Sequence, residues 1–309
     1  MSYESEMLKK YNMPTKQDVK KALLNILFKY NGVIKEFSAD ENVVAELAGF
    51  FSLNTDQKNA VLERNYYKGN RIVKSLLWHR LLYRAADDLA KEKLVTRPSI
   101  TYLLNNKKEW MLTEAGYDSA LDLLNISASQ KELRPIKSYE VEKIMKEIKE
   151  QEKPSEYSPF ETDRKKSVIS KEIKLRNRSF RQAVIEVYDC QCSVCGLKLP
   201  TPNNLYWEVE AAHIVPHTLN GKDDIWNGIA LCRLHHWAFD CGWFGIDDNF
   251  TIIGSSKIQT LPDSFGKIEH YEFIRQLNNN KLSLNLPSNS KNYPDISAIK
   301  WHRENIFFK

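Results

Sequence analysis

Three segments decide how this chain is read: CSVC at 192–195, EAAHIVPH at 210–217 and NGIALCRLHHWAFD at 227–240. The first sets two thiols on one tight turn. The third returns a Cys and a His with the same two-residue gap, Cys232 and His235. Two N/S pairs of this kind suit a closed tetrahedral structural site, so Cys192, Cys195, Cys232 and His235 are predicted zinc ligands. The alternative is a set of buried free cysteines, which a lone CxxC would allow and the second pair argues against. Cys190 and Cys241 fit no such pairing. They read as core or incidental cysteines, with Cys190 a reserve ligand.

The same segments carry a second set, His213, Asn227 and His236. His213 closes an alternating, β-branched stretch that reads as a strand. Asn227 sits in a loop before Gly228, and His236 opens a short helix with Asp240 on the same face four residues later. Adjacent helical residues point about 100° apart, so His235 can serve zinc while His236 serves another ion. A strand, a loop and a helix pinned by zinc make the ββα-metal arrangement. Phosphodiester hydrolysis needs an activated water, neutralised phosphoryl charge and help for the leaving oxygen. A neutral imidazole accepts a proton near neutral pH, which makes His213 the predicted general base. A catalytic divalent cation, Mg²⁺ or Mn²⁺, is expected on His236, with Asp240 as its second ligand. Asn227 cannot be a base; it holds the loop beside His213 or adds a contact to the ion. Each residue also has a structural reading: a satisfied strand histidine, a plain Asn-Gly turn, and for His217 a bystander or a phosphate contact.

Outward from this centre, Lys171, Lys174, Arg176, Arg178 and Arg181 precede a helix leading into the cysteines. This is the densest positive run of the chain, and Arg176, Arg178 and Arg181 are expected to meet phosphates. Residues 126–170 are charge-dense and then proline-bearing, and are predicted to be a solvated helix followed by a flexible linker. Residues 1–14 read as a frayed terminus. Between them, helical periodicity marks Lys16 to Tyr30, with Gly32 beyond its end. A second helix follows a capping box of Ser38 and Glu41. A third carries Ala60, Val61 and Leu62 behind Thr55, and a long helix is predicted from Asn70 to Lys93. Lys74, Arg80 and Arg84 supply its basic side. Two apolar runs around NNKK then predict a hairpin with Lys107 and Lys108 at its tip, and a closing helix after Thr113. Helices followed by such a hairpin fit a winged helix-turn-helix, with a small α/β module that packs on a partner as the alternative.

The chain has 309 residues, enough for two cores. Its net charge of +5 permits a polyanionic partner without demanding one. No apolar run reaches the roughly 18 residues of a membrane span, and the N-terminus lacks the apolar stretch of a signal peptide. Five cysteines, three of them crowded at 190–195, favour metal over disulfides in a reducing compartment. A cytoplasmic protein is expected.

Two resemblances sharpen these expectations. NRIVKSLLWHRLLYRAADDLAKEKLV (70–95), ending in WMLTEAG (110–116), resembles the N-terminal domain of Mrr-type restriction proteins, which implies a winged helix over residues 15–125. CxxC, AAHIVP and NGIALCRLHHWAFD resemble the HNH endonucleases of restriction systems, including the McrA-like modification-dependent group. That likeness extends over 171–309 and implies a ββα-metal nuclease with structural zinc and divalent-metal-dependent cleavage of DNA. Many such enzymes carry an acid or a second His where this chain has Ala212, which puts weight on Asp240. The expectation is therefore an α+β chain: a winged-helix recognition domain (15–125), a charged linker (126–170) and an HNH domain (171–309). Double-stranded DNA, plain or with modified bases, is the expected partner, and a homodimer the expected assembly. A non-catalytic, zinc-braced DNA-binding regulator and a homing-type nuclease are the rival readings.

Overall fold

The computed structural model describes residues 3–66, 71–126, 137–161, 170–202, 206–261, 272–278 and 282–308. The chain divides into two compact units, Met1–Glu142 and Lys143–Lys309, each with its own apolar core.

The stretch expected to fray, residues 1–14, is helical over much of its described part. Helix α1 (Tyr3–Lys10) buries Glu4, whose carboxylate takes Arg80 at 2.8 Å and Arg84 at 2.7 Å. Helix α2 (Lys16–Lys29) starts on the Thr15 hydroxyl, which accepts from Asp18 N. It ends where Gly32 takes φ +88°, a left-handed value that favours glycine. Strand β1 (Val33–Lys35) leads to α3 (Glu41–Phe50), capped by Asp40 rather than by Ser38.

The next stretch departs from the expected helices. Asn54 and Gln57 form a reciprocal capping box on the short α4 (Thr55–Asn59). Val61 and Leu62 then enter strand β2 (Val61–Tyr66), paired antiparallel with β3 (Arg71–Leu76). The predicted long helix is thus a strand followed by α5 (Leu77–Lys91). Ile72 and Val73 are β-branched residues that favour a strand when a partner strand is present, and sequence spacing alone does not reveal that partner. Helix α5 packs Leu81, Leu82 and Ala85 into the core with Leu23 and Leu27 of α2.

Strands β4 (Val95–Thr96) and β5 (Glu109–Leu112) pair antiparallel, and β1 adds to β5, giving the order β1-β5-β4. They are not joined by a simple hairpin tip. Pro98 has no N–H to lose at a first helical position, and it opens α6 (Pro98–Asn105). The helix ends at Asn106 in the left-handed region, and Thr101 fastens it to β5 through a 2.7 Å bond to Glu109 O. Lys107 and Lys108 are exposed on the link that follows. Helix α7 (Glu114–Leu123) begins, as expected, on Thr113.

The predicted linker is largely structured where described; 127–136 and 162–169 lie outside the described residues. Helix α8 (Tyr139–Glu150) is amphipathic, burying Val141, Met145 and Ile148 at helical spacing. The unit boundary after Glu142 falls within it. Residues 151–161 then lie as an extended strap on the second unit. Tyr157 Oη donates to Asp224 Oδ1 at 2.8 Å, Glu161 N to Asn220 O at 2.7 Å and Lys222 N to Pro159 O at 2.9 Å.

In the second unit, α9 (Ser170–Val187) lies across a two-stranded ribbon of β6 (Glu210–His213) and β7 (Gly228–Leu231). Helix α10 (Arg233–Asp240) follows, completing strand, strand and helix. Beyond it are the ribbon of β8 (Phe244–Ile246) and β9 (Ile252–Gly254), the short α11 (Glu272–Arg275) and α12 (Ile296–Asn305). His302 of α12 lies flat on Phe239 at 3.6 Å, its Nε2–H donating to Phe239 O at 3.1 Å, and Arg303 bonds Ile246 O and Asp248.

Candidate active site

The four predicted zinc ligands converge. Cys192, Cys195, Cys232 and His235 hold their ligand atoms within 4.8 Å of one another. His235 Nδ1 lies 3.1 Å from Cys232 Sγ and 3.6 Å from Cys192 Sγ. Local backbone explains the convergence. Gly196 N bonds back to Cys192 O with Gly196 at φ +70°, which bends the first pair into a knuckle. Ser193 N donates to Ala230 O and ties that knuckle to β7, while Cys232 sits at the cap position of α10 and His235 one turn on. Hydrogen bonds from Cys195 and Cys232 hold the Cys192 thiol far below its ordinary pKa, because donated S–H groups stabilise its thiolate. Three sulfurs and one imidazole suit a structural zinc ion. Cys190 and Cys241 stand outside this group.

His213, at the end of β6, pairs in register with Gly228. That glycine has a mechanical reason. A Cβ there would meet Val184 Cγ2 at 2.5 Å and the Phe180 ring at 3.1 Å. Its absence lets α9 press Phe180 against the ribbon, and Phe180 stacks on the His213 ring at 4.0 Å. His213 Nε2 lies 2.8 Å from Asp223 Oδ1.

Asn227 is fully buried. Its Oδ1 accepts from Val215 N at 2.8 Å, and its Nδ2 donates to Val215 O at 3.1 Å and Lys222 O at 3.0 Å. The carboxamide joins the segment after His213 to the loop that holds Asp223. Its bonds join two loop segments, and Asn227 is not among the residues lining the cleft described next.

His213, His217, Thr218, Ala211, His236 and Asp240 line one cleft of about 280 Å³, with His302 and Ile306 on its wall. The side chain of His236 is one quarter exposed and is held between two carboxylates. Glu210 Oε2 lies 2.9 Å from Nδ1, and Asp240 Oδ2 lies 3.5 Å from Nε2. Burial works against a charged His236, but the Glu210 bond and the Asp240 charge outweigh it and raise its pKa. The same bond holds Glu210 below the usual carboxylate range. Burial, aided by the Glu210 charge, raises Asp240. Ala212 is fully buried, and it is Ala211 that faces the cleft.

The expected phosphate-binding cations separate into three groups. Arg176, Arg181, Lys107 and Lys108 are exposed. Arg178 is buried at 5% exposure and cannot serve as a surface contact in this arrangement. Lys74, itself exposed, pairs with Glu63 at 2.7 Å, and Arg80 and Arg84 grip the buried Glu4.

Asp223, Glu210 and Phe180 were not among the expected site residues. None stands at a ligand-type spacing from the residue it supports. Glu210 acts across 26 residues and Asp223 across 10. The usable signal was strand alternation, which leaves Glu210 free to face a helix, together with an acid in the loop before Asn227.

Comparison with known proteins agrees with this geometry over a limited span. Residues 192–247 match the family model HNH_2, described as HNH endonuclease, so this part of the chain is an HNH-type nuclease domain. No curated protein matches the chain. Among solved structures, a "Modification dependent TagI restriction endonuclease" is similar at 20% sequence identity and a TM-score of 0.30. The likeness covers 41% of this chain and 37% of that one, so the chain spans well under half the length of that protein.

Proposed function

We propose that this chain is a DNA endonuclease of a restriction system, hydrolysing phosphodiester bonds of double-stranded DNA in its C-terminal unit. The observation that carries the reading is the convergence of His213, His236 and Asp240 on one cleft beside the Cys₃His cluster. His213 takes a proton from the attacking water. Asn227 holds the loop against it. Glu210 occupies Nδ1 of His236, which turns Nε2 toward Asp240. One nitrogen and one carboxylate oxygen 3.5 Å apart fit a single hard divalent cation, Mg²⁺ or Mn²⁺. When bound, that ion supplies charge neutralisation for the phosphoryl group and the leaving 3′ oxygen.

In this proposal the N-terminal unit holds the duplex as a winged helix. The β1-β5-β4 sheet, with α5 entering β4 and basic residues on the link into β5, supports that reading. Arg176 and Arg181, with Lys107 and Lys108, contact the backbone. Modification-dependent recognition follows by analogy from an Mrr-like reader beside an HNH cutter. A homodimer would bring two such clefts to the two strands. A cytoplasmic setting suits free thiols around zinc.

The test is cleavage of plasmid and of DNA panels with plain, methylated and hydroxymethylated bases, in Mg²⁺ or Mn²⁺. The expected result is recurrent cutting by wild type and none by His213→Ala. Tight DNA binding without cleavage on every panel would instead support a regulator. A single long asymmetric target would point to a homing-type nuclease.

A further inference from the structure

We propose that Asp223 is a positioning residue that fixes His213 in one tautomer, with the proton on Nε2 and the lone pair on Nδ1. This rests on the reading of His213 as the general base. A carboxylate only accepts hydrogen bonds, so the nitrogen 2.8 Å from Asp223 Oδ1 must present an N–H. The other nitrogen is then the one that can take a proton from water.

The surroundings hold this pairing from several sides. The Asp223 side chain is 8% exposed, so bulk water does not compete freely for it. The Asn177 carboxamide, oriented nitrogen first, donates to both Asp223 oxygens at 3.1 Å. Arg176 Nη2 reaches the Asp223 carbonyl at 3.4 Å. His217 Nε2 stands 4.0 Å from Oδ2, beyond hydrogen-bond distance, which leaves His213 as the close imidazole partner. The loop itself has little freedom. A Cβ on Gly221 would fall 1.8 Å from Val215 O, so the loop passes hard against the segment that follows His213. Asn227 ties the same two segments from the other side. Phe180 lies flat on the imidazole and limits its rotation out of plane. A ring turned over would set a C–H against the buried carboxylate, and a ring protonated on Nδ1 instead would set a lone pair there.

The experiment uses the full-length, zinc-loaded protein and the variant Asp223→Asn. Asparagine keeps the shape of the side chain but can offer its NH₂ to the ring, which favours the opposite tautomer. We expect kcat to fall about 10²–10⁴-fold, the scale of a wrong-tautomer defect in a carboxylate-held histidine. KM and the melting temperature should stay near wild type. The ¹⁵N shifts of the His213 ring should show a proton on Nε2 in wild type and move toward the Nδ1–H pattern in the variant.

A variant kcat within about threefold of wild type would overturn the proposal. So would a wild-type ring protonated on Nδ1, a measurement that needs neither the variant nor its folding. A fall in kcat with unchanged ring shifts would also overturn it, by removing the tautomer from the cause. Failure of the underlying reading looks different: there His213→Ala would cut as well as wild type, and the ring shifts would still decide the role of Asp223.

Discussion

The Cys₃His cluster and the cleft share helix α10, through neighbouring residues, yet they are built on different plans. In the cluster, Cys192, Cys232 and His235 are buried, and two short pairs bring every donor. In the cleft, His236 is one quarter exposed and Asp240 more than half. The residues that aim its imidazoles come from distant parts of the chain. A closed site is specified almost wholly by its donors, because four ligands leave one geometry. An open site keeps room for substrate, so its geometry has to come from side chains that never touch the ion.

The largest expected effect would break the cluster and leave the cleft residues unchanged. Stripping zinc with a strong chelator, or Cys192→Ser, should unfold the C-terminal unit, since structural zinc in small domains contributes on the order of 10 kcal/mol. Circular dichroism with metal analysis checks this; a C-terminal unit that melts normally without zinc would put the cluster's structural role in error. The converse breaks the cleft alone. His213→Ala should bind zinc and melt like wild type while cleavage falls about 10²–10⁴-fold, the usual contribution of a general base.

A third test concerns the brace both sites share. His302, stacked under Phe239 of α10, has its pKa pushed down to about 4 by burial. The unfolded chain binds its proton near pH 6.5. Stability from a neutral buried His302 is therefore fully present above about pH 6.5 and is lost as pH falls from there toward 4, by roughly 3 kcal/mol in all. Denaturant melts across this window should show a steeper acid loss for wild type than for His302→Leu; equal slopes would remove His302 from the account. The smallest effect sharpens the difference in design. Glu210→Gln should raise the Mn²⁺ concentration needed for half-maximal cleavage about 10–100-fold, with zinc content unchanged.

The same contrast separates what was legible in sequence from what was not. The cluster was legible because CxxC and CxxH are local patterns, and the knuckle and the cap of α10 follow within a few residues. Strand β6 and a short helix at α10 were legible from alternation and helical spacing. Asp223 and Glu210 were not, because their partners are chosen by how the ribbon registers and how α10 docks on it. Spacing predicts helix over β3 and the start of β2 for a related reason. A six-residue stretch such as RIVKSL fits either period, and only the facing strand decides. The basic residues of α5 looked free because their partner, Glu4, belongs to a terminus that composition alone marked as loose.

The strap at 151–161 sets a limit on where the chain can be shortened. A fragment begun at residue 171, where the nuclease-like motifs start, would retain every zinc ligand and every residue of the cleft. It would lack Tyr157, whose hydroxyl meets Asp224, and the backbone bonds that Pro159 and Glu161 make to the 220–222 turn. The loop beside His213 would then lose a wall along the edge next to Asp223. The compact second unit starts at Lys143, so a fragment meant to keep the strap begins well before residue 171.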